Sequence, residues 1–527
     1  MPDLHYRQEK IKIKRKATPF REFLLTIGSR RPMTFYKNNG HISRYPQTER
    51  IQNVISLSQH AELRDDMPKY ARKYSGDIFA DVGAILQTIP IAALNHFGEN
   101  ENCEYADVAY NAKNIYLSIV TTTGVEDIAY SFNIKDNSTN VFSSVNVLEA
   151  SENVYGSSYI ISSYNVFFSE NIINSNNIWM SNNCIGCTEC LYCDGLENMS
   201  YCIDNKQSTR EDYQQQKEIL LAKKDTYTKR QTTQMVNMGS SNVTWSNLYN
   251  CHDGENMYYC SNLQNARNAV FISSNEENSD FYDVFMWGRS TNFYGVCDAG
   301  GFSDNCYCIT QCATCTDMYY SLFCEWCSFC LGCVGLKNKQ FCILNQQYTK
   351  EERHQKVDEI FGHMEKNGTL GEFFPWSMNP FYFNDTAAHM IMWSEQSEPG
   401  STAGQAFTKQ EVTALWYLRR DEPVKVDIPV GAEIIKTGEL WDYEWYSSHP
   451  ERSEGSSKDN LDSSIVSLSQ NDKKWTINPD ILKKIIIDEQ WNYYRIVQME
   501  YDFLIKHWLP LPRKHRLERM KENFRIT

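Results

Sequence analysis

The sequence predicts a mainly β protein: a tandem duplicated β-solenoid with coils of about 12–13 residues, helical caps and a mixed α/β C-terminal region. Three observations predict it. A hexad of small apolar and small polar residues repeats through the middle of the chain, Asn or Asp recurs every 12 or 13 residues, and the pattern returns at an offset of 140. Such a period is neither that of a helix nor simple alternation, which leaves short strands stacked coil on coil.

The hexads are clearest at 153–194, where seven run without a gap. Position two reads Val154, Ile160, Val166, Ile172, Ile178, Cys184 and Cys190; position five reads Ser157, Ser163, Ser169, Ser175, Ser181, Cys187 and Cys193. A narrow tube has room on its inner wall only for such side chains. Asn102, Asn114, Asp127, Asn140 and Asn153 mark corners, which need residues tolerant of turn or left-handed backbone. A residue inserted at a corner turns a coil of 12 into one of 13. Inward residues at every third position resemble the twelve-residue coils of insect antifreeze solenoids, but the outward Thr-x-Thr rows are missing, so only the geometry is implied. Coils of 18 or 24 residues fit the same hexads.

The duplication is explicit. GLENMSYCIDNKQSTREDYQQQKEIL at 195–220 and GLKNKQFCILNQQYTKEERHQKVDEI at 335–360 share ten of 26 positions without a gap. The expected organisation is a basic mixed region and solenoid cap at 1–98, with a helix at 69–88, then a first solenoid half at 99–206. A helical connector follows at 207–238, its helix at 209–224 capped by Thr209, then a second half at 239–345. The C-terminal region, 346–527, is expected to hold helices at 349–365, 408–420 and 498–508 and strands at 432–436 and 493–499. Its Ser-rich stretch 447–474 reads as a disordered insertion.

The 527 residues include 52 Lys and Arg against 66 Asp and Glu, a net charge of −14, which makes a poor generic nucleic-acid binder. Both ends depart from this. Residues 1–37 carry +7 and residues 505–527 carry +5, leaving −26 on the rest. Arg513, Lys514, Arg516 and Arg519 are candidate anion-binding residues for nucleic acid or anionic lipid. The commoner outcome for such ends is neutralisation of their own acidic body. The most apolar stretch, 79–97, is interrupted by Asp81, Gln87, Pro90 and Asn95 and does not span a bilayer, so the expected location is cytoplasmic.

All 18 cysteines lie between Cys103 and Cys342. Cys184, Cys187, Cys190 and Cys193, and their duplicates Cys324, Cys327, Cys330 and Cys333, are candidate zinc or iron–sulfur ligands, since thiolates three apart can converge on a soft metal. Against this, every sixth residue from 306 reads Cys306, Cys312, Met318, Cys324, Cys330, Leu336, Cys342. A ligand position is not filled by Leu one rung on, whereas a packing position is. On that reading no cofactor is needed; cross-coil disulfides are the third alternative.

Outward positions give Tyr155, Phe167, Trp179 and Leu191 as one stripe and Ile161, Ile173 and Ile185 as another. Such a stripe is covered by a protein partner, by a homodimer mate or by another layer of the same chain. Catalytic signals are weak: His252 stands beside Cys251 and Asp253, and Glu126, Asp127, Glu149 and Glu152 show no recurring pairing. The ranking is therefore a non-catalytic scaffold or interaction protein, then a metal-binding protein, then a carbohydrate-active parallel β-helix enzyme.

Three further segments carry a resemblance. GLKNKQFCILNQQYTKEE at 335–352, INPDILKKIIIDEQWNYYRI at 477–496 and LPLPRKHRLERM at 509–520 resemble a family of uncharacterised cysteine-rich repeat proteins of candidate-phyla bacteria. The resemblance implies a repeat fold and no particular activity. Family members often carry Cys-x-x-Cys zinc ribbons beside the repeats, and the stretch IIIDEQWNYYRI has no cysteine for one.

Overall fold

The computed structural model describes residues 28–222, 296–300, 309–313, 316–392, 407–421, 430–447 and 474–523, with position 428 and scattered positions between 6 and 26. Most of the expected second solenoid half, and residues 448–473 of the expected insertion, lie outside the described residues.

The backbone of the first half follows a triplet rule. From Asn153 to Asp204 every third residue has positive φ, as in Asn165 (54°), Phe168 (51°), Asn171 (54°), Asn174 (47°) and Asn177 (54°). The residue after each left-handed one points inward and the next points outward. Four triplets complete a coil, so the chain turns four corners and lays down four inward rows. Strand register fixes the coil length: Tyr164 pairs with Asn176 and Asn176 with Thr188, all in parallel. The earlier coils have 13 residues, Glu126 pairing with Thr139 and Thr139 with Glu152. Two consecutive left-handed residues absorb the extra one, at Thr123–Gly124, Asp136–Asn137 and Glu149–Ala150.

Left-handed backbone costs roughly 1–2 kcal/mol at a non-glycine residue, and the side chains offset it by bonding from coil to coil. Asn153 Nδ2 donates to Asn165 Oδ1 (3.0 Å), Asn165 to Asn177 (2.8 Å) and Asn177 to Glu189 (3.1 Å). Inside the tube, Val154, Val166, Ile178, Cys190 and Cys202 form one fully buried apolar row and Val147, Ile160, Ile172 and Cys184 another. The other two rows are serine. Ser169 shows how they close: its N–H donates to Ser157 Oγ (3.0 Å) and its Oγ donates to the Phe167 carbonyl (2.9 Å). The same Oγ accepts from Ser181 N–H (3.1 Å). A buried hydroxyl is thereby satisfied in both roles.

Both halves end alike. The last parallel strand turns into a short antiparallel one, Ser200–Ile203 with Lys206–Gln207 and Cys342–Ile343 with Gln346–Gln347. A helix follows each, Arg210–Ala222 and Lys350–Lys366, the second capped by Thr349, as expected at 209–224 and 349–365. The antiparallel turn ends strand addition at the edge.

Other elements are shorter than expected. The helix anticipated at 69–88 is a 3₁₀ segment, Arg64–Tyr70, and a separate helix, Ile78–Leu86, because Asp77 accepts from Phe79 N and Ala80 N and starts a new helix. The helix placed at 408–420 is confined to Lys409–Ala414, just before left-handed Trp416. Of 493–499 only Tyr493–Tyr494 is strand, since a helix begins at Gln498. Ile434–Lys436 pairs in parallel with Ile485–Ile487, and Glu444–Ser447 pairs antiparallel with Lys474–Ile477, joining the two flanks of the polar insertion.

Replacing Ser169 with Ala leaves Ser181 N–H without an acceptor inside the tube, and a loss of about 1–3 kcal/mol is expected in urea unfolding. Ser169→Cys, which keeps a weak acceptor of similar size, is expected to lose less. Equal stability of the Ala variant and the parent would show that the serine rows do not hold the coils.

Candidate functional site

The four cysteines of each cluster occupy one complete coil. In the first half Cys184 continues the Ile172 row, Cys187 the Ser175 row, Cys190 the Ile178 row and Cys193 the Ser181 row, one thiol from each wall. All eight cluster cysteines are buried free thiols. Each bonds a nearby carbonyl, Cys187 Sγ to Ile185 O (3.4 Å) and Leu196 O (3.3 Å), Cys327 Sγ to Glu325 O and Leu336 O (3.3 Å each). The sulfurs also bond one another. Hydrogen bonding with Cys184 and Cys190 lowers the pKa of Cys187 against the opposing effect of burial. Cys327 repeats the arrangement between Cys324 and Cys330. Among the described residues no group of three or more His, Cys, Asp or Glu side chains is arranged to hold a metal ion.

The aromatic stripe is not a free surface. Tyr155, Phe167, Trp179 and Leu191 are 3%, 2%, 5% and 0% exposed, because the C-terminal region packs over them. Phe503 stacks on Tyr155 with centroids 6.0 Å apart, and His507 lies 5.3 Å from Phe167. The expectation of a partner surface at these four residues is therefore corrected: the layer that covers them belongs to the same chain.

The anion-binding expectation for the C-terminal arginines is corrected as well. Arg519 is buried with its guanidinium on Glu500 Oε1 (2.6 Å), Ser143 Oγ (2.7 Å) and Tyr155 Oη (3.1 Å), tying the last helix to the solenoid wall. Arg516 is buried, which lowers its pKa to about 10, and reaches Met33 O. Arg513 pairs with Glu444 and Lys514 with Glu522. The N-terminal basic segment is engaged in the same way: Arg7 binds Asp358 and Glu365, Lys10 binds Glu365, and Lys14 binds Glu372. Arg7, Lys10, Lys14, Arg513 and Arg519 are thus paired with carboxylates elsewhere in the chain.

One outward row of the first half stays open. It runs Glu126, Thr139, Glu152, Tyr164, Asn176, Thr188, Ser200 beside the asparagine ladder, and Tyr164 is 48% exposed at its centre. The stripe of Ile161, Ile173 and Ile185 lies on another wall, buried or half-buried. At the N-terminal end of the open row the helix Gln498–His507 leaves a groove of about 640 Å³, lined by Tyr105, Asn114, Asp127, Asn140, Asp502 and Lys506. The equivalent row in the second half is Thr316, Ser328 and Gln340. It is bordered by Trp326, 57% exposed, and by the stacked pair Phe329–Phe341 at 5.2 Å. Sequence reasoning passed over this row because its residue types do not repeat.

No protein-family model, no curated protein and no solved structure matches the chain. Among the described residues no helix is long and apolar enough to cross a membrane.

Glu500→Gln would leave the Arg519 charge buried and unpaired, and a loss of about 3–5 kcal/mol is expected in thermal or urea unfolding. Pairing Glu500→Leu with Arg519→Met should recover most of it. A single variant as stable as the parent would show that this ion pair does not anchor the C-terminal region.

Proposed function

We propose that the protein is a non-catalytic scaffold of the cytoplasm, related to the cysteine-rich repeat proteins its three segments resemble, and that its binding surface is the open row. The observation that carries this reading is Tyr164, half exposed among Glu152, Asn176 and Thr188 while the aromatic stripe on the neighbouring wall is covered. Exposed Trp and Tyr set in a polar surround are typical of protein–protein contacts. Trp326 beside the equivalent row extends the same chemistry to the second half. The asparagine ladder holds the row flat, so the surface is ordered before a partner arrives and little side-chain entropy is lost on contact. With −26 of charge outside the two basic ends, the partner is a protein with a polar, basic contact patch.

A photo-cross-linker at position 164 tests this. It is expected to capture a discrete protein in the cells that make the chain, with a yield that falls as salt rises and vanishes with Asn176→Lys. Light scattering separates the two kinds of partner: a monomer that cross-links has an outside partner, and a dimer that Tyr164→Lys dissociates pairs with a second copy. A monomer with no cross-link at position 164 would end the reading.

The second reading, metal binding, has one observation in its favour: each cysteine coil gathers a thiol from every wall and depresses the pKa of one of them. Metal analysis of anaerobically purified protein decides between the two. Cysteines that serve as packing predict far less than one zinc or iron per chain, and stoichiometric metal would replace the packing account.

A further inference from the structure

The aromatic stripe of the first half runs on past its cover. Strand register carries it from Phe142 through Ala129 and Tyr116 to Tyr105. Phe503 covers Phe142 with ring centroids 4.6 Å apart, whereas Tyr105 and Tyr116 are only half-buried and line the groove of about 640 Å³ beside the helix Gln498–His507. One side of the groove is that helix, through Met499, Asp502 and Lys506. The other is the corner ladder of Asn102, Asn114, Asp127 and Asn140, one residue per coil at a spacing of about 4.8 Å. The groove thus crosses the strands instead of following them, and the ladder separates it from Glu126 and Thr139 of the open row.

The ladder is broken where it borders the groove. Asn102 Nδ2 donates to Asn114 Oδ1 (2.9 Å) and Asn114 Nδ2 to Asp127 Oδ1 (2.8 Å), and bonding resumes only with Asn153 and Asn165. Between these runs Asn140 makes no side-chain hydrogen bond among the described residues. It is a half-buried lining residue, so its amide, donor and acceptor together, is within reach of an occupant. Glu104 and Lys506 also line the groove and form no ion pair among the described residues. The aromatic part is held in place: Tyr116 hydrogen-bonds Arg495 and meets Tyr130 edge-on at 5.6 Å, and Tyr105 packs on Tyr116 at 5.2 Å. Side chains ordered in advance lose little freedom on binding.

These features select a class of ligand. Tyrosine rings take an apolar surface, and amides beside carboxylates and an ammonium take groups that both donate and accept. A sugar offers the two together, C–H faces on its ring and hydroxyls around its edge. An extended peptide fits less well, because it docks along a free strand edge, and here each strand is already paired with the next. Charge narrows the choice further. Glu104, Asp127 and Asp502 outnumber Lys506 and the nearby Arg495, so a polyanion such as a uronic-acid chain or a nucleic acid is disfavoured. We propose that this groove binds a neutral oligosaccharide, laid along the ladder with its rings on Tyr105 and Tyr116 and its hydroxyls on Asp127, Asn140 and Asp502. The site is separate from the open row and needs no protein partner there.

Ligand-observed saturation-transfer NMR on the full chain tests the proposal. The probes are the tetraoses of β-linked glucose, N-acetylglucosamine and mannose, with tetragalacturonate as the acidic counterpart. At least one neutral tetraose is expected to receive saturation, and tetragalacturonate much less. Asn140→Ala removes an amide that supports no rung of the ladder, so the fold is kept and affinity for that tetraose should fall about fivefold, the equivalent of one lost hydrogen bond. Asp502→Trp, at an exposed position of its helix, fills the groove and should abolish the signal. Tyr164→Lys, in the open row, should leave the signal unchanged. No saturation of any neutral tetraose at millimolar concentration, equal binding of tetragalacturonate, or a signal that survives Asp502→Trp would each overturn the proposal. Unchanged affinity in Asn140→Ala, or loss of the signal with Tyr164→Lys, would overturn it as well.

Discussion

The structure depends on one backbone constraint, a left-handed residue at every third position. Given that, the coil has to turn after each triplet, and one residue in three has to face inward. The choice of residue types follows from it. Inward places take small or β-branched side chains because four of them meet across one tube. Corner places take Asn so often because its short amide tolerates left-handed backbone and can bond the Asn twelve residues on, as Asn153, Asn165 and Asn177 do. Phe168 and Met180 occupy corners as well, at φ of 51° and 48°. Phe168 meets the ring of Tyr155, one coil earlier, at 5.7 Å, so packing supplies there what the amide supplies elsewhere.

The solenoid was legible because its determinants are local and repeated. Hexad positions two and five in the sequence are the apolar and serine rows of the tube, and the single-residue insertions are the doubled left-handed corners. Coil length was legible from the Asn and Asp spacing of 12 or 13, although the hexads alone also fit coils of 18 or 24; the pairing of Tyr164 with Asn176 settles it. The aromatic stripe was legible as a patch needing a cover, but its cover was not. Tyr155 meets Glu500 across 345 residues of chain, and no periodicity reports a contact of that range.

Charge shows how long-range contacts reverse a local inference. A cluster of Arg and Lys at a chain end looks like a phosphate site until its acids are found. Here they are found inside the molecule. Arg519 and Glu500 meet where the last helix crosses the solenoid, and Arg44 and Asp107, 3.0 Å apart and almost wholly buried, meet where the N-terminal region does. Buried pairs of this kind add little net stability, yet breaking one is costly, so they fix which surfaces meet rather than how strongly. Both flanking regions are thereby registered on particular coils, and the open row is what their placement leaves.

The same logic explains where the cysteines stand. A serine in an inward row is comfortable only while the row continues, because its oxygen must accept the N–H of the next coil. Ser181 accepts from Cys193, but beyond Cys193 the row has no further rung: the chain turns back through the hairpin at Ser200–Gln207. Cys193 donates weakly to Leu191 O and approaches Cys202 O, and a thiol loses little where the row stops. In the second half Cys333 takes the same place, its N–H donating to Ser321 Oγ one coil before the hairpin at Cys342–Gln347. In the apolar rows of the first half the same coil exchanges Ile172 and Ile178 for Cys184 and Cys190, so all four walls meet at sulfur together. A thiol is the side chain that ends the Ser181 row and continues the isoleucine rows with equal ease, and the cysteine coil of the first half stands where those demands meet.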